Sequence, residues 1–448
     1  MKPTIIILAP ILAWLLSSWF APSENIQHGL FILMLAASYW LTQVIHLSVT
    51  ALLIPVVAVL LGALDMSTAL SSFAHPIIFL FLGGFALAAA LKQHGIDIWI
   101  AQAIIKQARG HGLLVCLLLF MISAVLSMWI SNTATVAMML PIALGLLASI
   151  TYTEKPSTYW FVLLGMAYSA SIGGIATLVG SPPNAIAASA LNIGFREWLA
   201  LGLPITLVLL PIMWGLLYFL CKPDLASLAA VKLDKNDDVE QTKLIWNGTT
   251  LSTLVIFFVT ALLWVMGGYV QPLIGIEQNY DTWVAIAAIV ALHMSGSLSF
   301  AHFEKNTQWS VLLLFGGGLC LSAILTTTQA SGFLANQIAE LIDGVPIFVL
   351  LLVVIGFVVF MTEISSNTAL AALMVPTFIS IAQVIGLDPM LLASVIAIGA
   401  SCAFMLPVAT PPNAIVFASG YVPQSNMMRI GMMLNCVSIL LLALWFSG

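Results

Sequence analysis

The sequence predicts an all-α polytopic membrane protein built as an inverted repeat, and three observations lead there. Of 448 residues, 62% are hydrophobic and only 6% charged, where soluble domains carry about 25% charged residues. Apolar runs long enough to cross a bilayer recur along the whole chain, without the period-two alternation of an outer-membrane barrel. Two polar, helix-breaking patterns occur twice in the same order: Ser131-Asn132-Thr133 then Gly180-Ser181-Pro182-Pro183-Asn184, and Ser366-Asn367-Thr368 then Ala409-Thr410-Pro411-Pro412-Asn413. Polar breaks at matching places in two halves of a membrane protein point to a transporter's binding site.

Hydropathy places spans near 4–20, 30–47, 49–64, 77–91, 158–190, 199–221, 249–270, 282–298, 309–328, 390–420 and 427–446. Two further apolar pairs, 113–152 and 345–386, are each split by a Ser-Asn-Thr triplet. The first run, Ile5 to Phe20, lacks a small-residue cleavage site after it and reads as a retained span rather than a signal peptide. With the N-terminus in the cytoplasm, Lys2, Lys92, Lys106, Arg109, Lys155, Lys222, Lys232, Lys235, Lys243, Lys305 and Arg429 fall inside and only Arg196 falls outside. That asymmetry fixes the orientation and puts the C-terminus on the outer side, periplasmic or extracellular. The polar stretch Lys222 to Thr250 reads as a solvated connector, and 95–110 as an amphipathic helix along the inner surface, with 333–342 its outer counterpart. The five cysteines show no metal or disulfide spacing and read as packing residues, as His46 and His293 do near helix ends.

The duplication extends beyond the motifs. Phe81-Leu82-Gly83-Gly84-Phe85 corresponds to Leu314-Phe315-Gly316-Gly317-Gly318, and the spacing between halves stays close: 367 − 132 = 235 and 413 − 184 = 229. In the charge-based topology the two Gly-Gly spans run in opposite directions, so the halves are related by an axis in the membrane plane.

The motifs suit ions. If each triplet is the tip of a re-entrant hairpin, the helix that starts after it offers N–H donors and positive dipole character to an anion. Asn132, Thr133, Asn367 and Thr368 add neutral donors there, and Ser127 and Thr362 lie about one turn before the tips on the same face. Proline has no N–H, so Pro182-Pro183 and Pro411-Pro412 free carbonyls near Leu178 and Val179, and near Pro407 and Val408. Those carbonyls, with the Ser181 and Thr410 hydroxyls, are hard oxygen ligands of the kind that hold sodium in transporters. No lysine or arginine lies within the motifs, so an anion bound there depends on hydroxyls, amides, helix ends and co-bound cations. Glu363 is the one carboxylate near a site, and reads either as a proton or cation ligand or as a structural acid, at the outer end of the hairpin or paired with a backbone group.

These triplets, Pro-Pro-Asn breaks and Gly-Gly spans resemble the divalent anion:sodium symporter family over nearly the whole chain, most of all its bacterial sodium-coupled dicarboxylate transporters. The resemblance implies about eleven transmembrane helices and two re-entrant hairpins in an inner-membrane homodimer, working by an elevator motion. Residues 1–111 and 223–332 would form the scaffold, and 112–222 and 333–448 the transport domain. The implied first sodium site is Ser127, Ser131, Asn132 and Gly180; the second is Thr362, Ser365, Asn367 and Ala409, several through backbone carbonyls. The implied substrate ligands are Asn132, Thr133, Ser181, Asn367, Thr368 and Thr410, with Pro411 lining the pocket. Family members often carry alanine where Ser365 stands, a change that a backbone ligand survives.

The expected function is sodium-coupled import of C4-dicarboxylates such as succinate, fumarate or malate, with at least two co-transported Na+ and no nucleic-acid partner. Citrate or sulfate as substrate, proton coupling and a passive channel are the alternatives. An intramembrane enzyme lacks its parts, since neither His-Glu-x-x-His nor paired intramembrane aspartates occur.

Overall fold

The computed structural model describes residues 2–105, 111–148, 150–229, 244–276, 278–342 and 344–448. The core of the expected connector, with Lys232, Lys235 and Lys243, lies outside the described residues, as do Lys106 and Arg109. Every regular element among the described residues is helical. Helix α1 (Lys2–Phe20) comes first. A first series follows: α2 (Glu24–Thr42), α3 (Leu47–Leu60), α4 (Met66–Ser71), a 3-10 turn (Ser72–Ala74), α5 (Pro76–Gln93), α6 (Ile96–Ile105), α7 (Gly112–Ser127), α8 (Asn132–Leu147), α9 (Pro156–Gly173), α10 (Pro182–Leu191) and α11 (Phe195–Cys221). After α12 (Leu225–Ala229) the plan recurs: α13 (Gly248–Val265), α14 (Gly267–Ile274), α15 (Tyr280–Met294), α16 (Phe300–Asn306), α17 (Trp309–Thr327), α18 (Ala330–Ile342), α19 (Ile347–Thr362), α20 (Asn367–Val384), α21 (Pro389–Ser401), α22 (Pro411–Ala418) and α23 (Gln424–Ser447).

Six helical segments among the described residues are long and apolar enough to cross a membrane: Met66–Gln93, Phe195–Cys221, Gly248–Val265, Trp309–Thr327, Asn367–Val384 and Gln424–Ser447. Shorter apolar helices, α1, α3, α7, α8, α15, α19 and α21, accompany them. Local chemistry sets the boundaries. Ser23, His46, Asp65, His75, Asn247, Ser299 and Asp388 each accept a hydrogen bond from an N–H in the first turn of the helix they precede. Proline opens α5, α9, α10, α21 and α22, where its missing N–H costs no intrahelical bond. Outside the apolar layer, Lys155 Nζ sits 3.0 Å from Asp224 Oδ2. That partner, with Ser227, holds the Asp224 carboxyl down at about 2 and ties the start of α9 to the end of α11.

The two series pack through each other. Helix α5 lies along α15, and α17 lies along α3. Both contacts close on a glycine: a Cβ on Gly83 would come 2.6 Å from Ala285 Cβ, and one on Gly317 would come 2.5 Å from Ala51 Cβ. The contacts Gly83–Ala285 and Gly317–Ala51 pair the two spans one residue out of the register in which the sequence aligns them, so that Phe81 matches Phe315, Gly83 matches Gly317 and Gly84 matches Gly318. Between these contacts Phe81 and Phe315 meet edge to face with ring centroids 4.9 Å apart. A contact between equivalent residues, flanked by two equivalent contacts, is what a two-fold relation produces. The expected spans 158–190 and 390–420 each resolve into two helices with an unwound middle, residues 174–181 and 402–410. Both arms of each split pair, α7 with α8 and α19 with α20, pack against the helix that follows, α9 or α21.

Gly83→Leu and Gly317→Leu should each lower stability by about 1–3 kcal/mol through overpacking. Gly215→Ala and Gly356→Ala, where an added Cβ meets nothing within 4 Å, should leave it unchanged or raise it by up to about 1 kcal/mol, alanine being the better helix former. Thermal melting of detergent-purified protein checks this; equal effects at all four positions would contradict the glycine-contact account.

Candidate substrate and cation site

Each tip is built alike. Helix α7 ends at Ser127 and α8 starts at Asn132, with Ser131 Oγ accepting from Ala134 N at 3.3 Å. Helix α19 ends at Thr362 and α20 starts at Asn367, with Ser366 Oγ accepting from Ala369 N at 3.4 Å. The hydroxyl before each tip reaches the asparagine after it: Ser127 Oγ to Asn132 Oδ1 at 2.5 Å, and Thr362 Oγ1 to Asn367 Oδ1 at 2.6 Å. These are pairs that the resemblance puts in the first and second sodium sites. Ser365 donates its hydroxyl to Met361 O at 2.7 Å, which turns that oxygen back into its own helix and leaves its carbonyl as the group a cation could use.

The unwound segments meet the tips. A Cβ added at Gly174 would lie 2.5 Å from Asn132 Oδ1 and 2.9 Å from Gly180 O. Two of the four expected first-site residues therefore border one small space that glycine leaves open. On the second side Thr362 Oγ1 also lies 3.0 Å from Ala400 O, and Ala409 is buried. Thr410 caps α22, its Oγ1 accepting from Asn413 N at 3.3 Å. Ser181 stands at the corresponding start of α10 but faces the other half, with its Oγ 3.1 Å from Ser401 Oγ. Helix α22 packs on α8, and α10 on α20, so each half-helix serves the hairpin of the opposite series. Thr133 and Pro411 are exposed; Asn132, Asn367 and Thr368 are half-buried.

Each tip is also tied to an unwound segment that donates to it, through a segment side chain in one half and a tip side chain in the other. In the first, the Thr177 hydroxyl on the segment donates to Met128 O at the tip, 2.5 Å away. In the second, the position of Met128 is taken by Glu363. Its carboxylate accepts from Met405 N and Leu406 N, both at 2.8 Å, and from Asn435 Nδ2 at 2.7 Å. Glu363 is 2% exposed. Of the two readings of this acid, the arrangement found is pairing with backbone.

Sequence reasoning assigned no role to the asparagine ending each Pro-Pro-Asn. Asn184 Nδ2 donates to the carbonyls of Gly174 at 2.9 Å and Thr177 at 2.7 Å, with Ile175 O at 3.3 Å. Asn413 Nδ2 donates to Ala403 O at 3.2 Å and Leu406 O at 3.0 Å. The only signal available beforehand was the recurrence of asparagine directly after both proline pairs. Nor did the sequence single out Thr177, Ser401 or Asn435, which are common polar residues in apolar runs.

The profile of the citrate transporter family matches residues 37–399. An uncharacterized transporter of Haemophilus influenzae is 48% identical over 431 residues, covering 95% of this chain and 91% of the relative. A protein named sodium-dependent dicarboxylate transporter SdcS, from Staphylococcus saprophyticus, is 32% identical over 469 residues, covering 98% and 89%. Among solved structures, the Alcanivorax borkumensis YdaH transporter superposes with a TM-score of 0.59 at 14% identity, over 85% of this chain and 86% of that one. Neisseria gonorrhoeae MtrF gives 0.55 at 14% identity, over 85% and 82%. Likeness at that identity concerns fold alone, that of helical membrane transporters. The full-length relatives and the family profile agree with the duplicated motifs: the chain is a multi-pass membrane transporter, not an enzyme, and belongs to the divalent anion:sodium symporter family.

Proposed function

We propose that this protein imports C4-dicarboxylates such as succinate, fumarate and malate across the bacterial inner membrane. Import is driven by co-transported sodium and proceeds by alternating access of the elevator kind. The relative named as a sodium-dependent dicarboxylate transporter supports the substrate class and the ion. The site supports the division of labour. It offers hydroxyls, amides and helix N-termini to carboxylates, and hard oxygens to at least two sodium ions that supply the positive charge. Moving a dianion against the membrane potential costs about 2.3 kcal/mol per charge per 100 mV, which sodium in excess of that charge would offset. Glu363 supports sodium over proton coupling, because three N–H donors already engage its two oxygens. The citrate name of the family profile makes citrate the second substrate to test.

One asymmetry carries the alternating-access part. Gly84 and Gly318 are equivalent and stand at the middle of α5 and α17. Gly318 packs on Ala372 of the second hairpin, 2.9 Å from a would-be Cβ. Gly84 packs instead on Val179 of the first unwound segment, 3.0 Å away. The residues that exact repetition would put in contact are the exposed ones: Ala137, the counterpart of Ala372, is exposed, and Val408, the counterpart of Val179, is 81% exposed while Val179 is 8% exposed. Exchanging the contacts between halves gives a second state of similar energy, with Gly84 on Ala137 and Gly318 on Val408.

The charge-based orientation then defines the present state. Ala372 lies five residues beyond Asn367, so the tip stands roughly 7 Å to the cytoplasmic side of the middle of α17. The site faces inward, and the exchange would carry it outward by on the order of 15 Å. A cleft of ~490 Å³ on the outer side, between Ser189, Arg196 and Glu197 and the facing Gln271, Tyr280 and Thr282, gives the moving part room. Asp281 Oδ2, which accepts from Phe195 N at 2.6 Å across that cleft, would have to let go.

Proteoliposomes test the whole reading: an inward sodium gradient should drive uptake of labelled succinate above that of citrate and sulfate. Flux indifferent to sodium would point to a passive pore. Asn132→Ala and Asn367→Ala should each weaken sodium and substrate binding together, by about tenfold or more, and retained sodium-dependent transport in both would reject the site. In a background lacking the five cysteines, the pairs Gly84→Cys with Val179→Cys and Gly318→Cys with Ala372→Cys should cross-link in one condition. Gly84→Cys with Ala137→Cys and Gly318→Cys with Val408→Cys should cross-link in another. Failure of the second set under every sodium and substrate condition would reject the exchange. Glu363→Gln should lower folding and transport yet leave the pH profile of sodium-driven uptake in place; a profile flattened by this change would show proton coupling instead.

A further inference from the structure

The two asparagines after the proline pairs show one arrangement twice. Each amide donates to carbonyls ten and seven positions earlier: Asn184 to Gly174 and Thr177, Asn413 to Ala403 and Leu406. The second of these carbonyls has another partner in both halves. Thr177 O also accepts from Gly180 N at 3.4 Å, and Leu406 O from Ala409 N at 3.2 Å. Gly180 and Ala409 are the residues proposed to offer carbonyls to sodium. In each half, then, the amide, one shared carbonyl and one ligand residue form a chain of two hydrogen bonds. Asn184 also holds Gly174, whose missing Cβ leaves the space between Asn132 Oδ1 and Gly180 O.

Both side chains are fully buried, and Asn184 Oδ1 and Asn413 Oδ1 have no hydrogen-bond partner among the described residues. An unpaired buried acceptor is costly. A side chain kept there for packing alone would not carry one. Its donor therefore has a task that outweighs the stranded oxygen. Only the amide nitrogen can face a set of carbonyls, which fixes the orientation of the group. The prolines before it have no N–H to give, and the side-chain amide donates from the helix side to other carbonyls of the unwound segment.

We propose that Asn184 and Asn413 are positioning residues, one for each sodium site, that set ion affinity by holding the unwound segment in its ligating shape without touching the ion. The proposal rests on the sodium-coupled reading above. Groups that orient ligands in this way typically change ion affinity by 10–100-fold when removed. Asn184→Leu and Asn413→Leu keep the size and lose both donors. Each should raise the sodium concentration for half-maximal succinate uptake by about tenfold or more, with uptake recovering toward wild type as sodium is raised. Asn184→Ser and Asn413→Ser, which keep one donor on a shorter arm, should fall between, and they serve if the leucine variants do not reach the membrane. The sodium dependence of thermal stability in purified protein should move in parallel. Variants with wild-type sodium half-saturation, reduced only in folded amount or maximal rate, would overturn the proposal and leave a purely structural role. A wild-type protein indifferent to sodium would instead remove the functional reading beneath it.

Discussion

Unwound backbone inside an apolar layer has to satisfy its carbonyls within the protein, because lipid offers no donors. That constraint organises the site. Pro182-Pro183 and Pro411-Pro412 break two helices and withdraw donors, and the neighbouring polar side chains restore them selectively. Asn184 and Asn413 take the carbonyls seven and ten positions back. The Thr177 hydroxyl in one half and the Glu363 carboxylate in the other fasten each segment to the hairpin beside it. What remains near Gly180 and Ala409 is the small surplus of oxygen that we assign to cations.

The same constraint explains why the two halves differ where they do. Repetition holds at the tips, in the Ser127–Asn132 and Thr362–Asn367 pairs, and where α5 and α17 cross the opposite series at Gly83 and Gly317. It breaks at Gly84 and Gly318, which meet different parts of their partners. The fixed contacts lie within what we read as the scaffold and within the moving part; the unequal ones lie between them. An interface lined by glycine, alanine and valine forms no hydrogen bonds that must break when one face slides past another. Asp281 with Phe195 N, and His75 Nδ1 with Ser189 Oγ at 3.4 Å, are polar exceptions at the outer end.

Much of this was legible in the sequence. The class followed from composition, the series of elements from the Gly-Gly spans and the two motif pairs, and the helix breaks from the prolines. Ser127 and Thr362 were placed with the tips by one turn of helical spacing, and they are bonded there. The rest depended on contacts between residues distant in the chain. Nothing near Glu363 in sequence announces Met405, Leu406 and Asn435 as its partners, about 40 and 72 positions away. Ser181 and Thr410 occupy equivalent places, yet one caps its own helix and the other reaches Ser401 across the halves, because the surroundings of a hydroxyl, not its position in a motif, decide which acceptor it takes. Val408 and Val179 are likewise identical side chains at matching positions, and only packing separates the exposed one from the buried one.

The central claim is that two mirrored tips jointly hold one dianion while sodium supplies the missing positive charge. A high-resolution map of the protein in lipid nanodiscs, collected with sodium and succinate and again with choline alone, tests it most directly. The account predicts a four-carbon density held between Asn132-Thr133 and Asn367-Thr368, with one ion beside Ser127 and Gly180 and another beside Thr362 and Ala409, all absent in choline. Succinate bound equally without sodium, or held away from these tips, would contradict it.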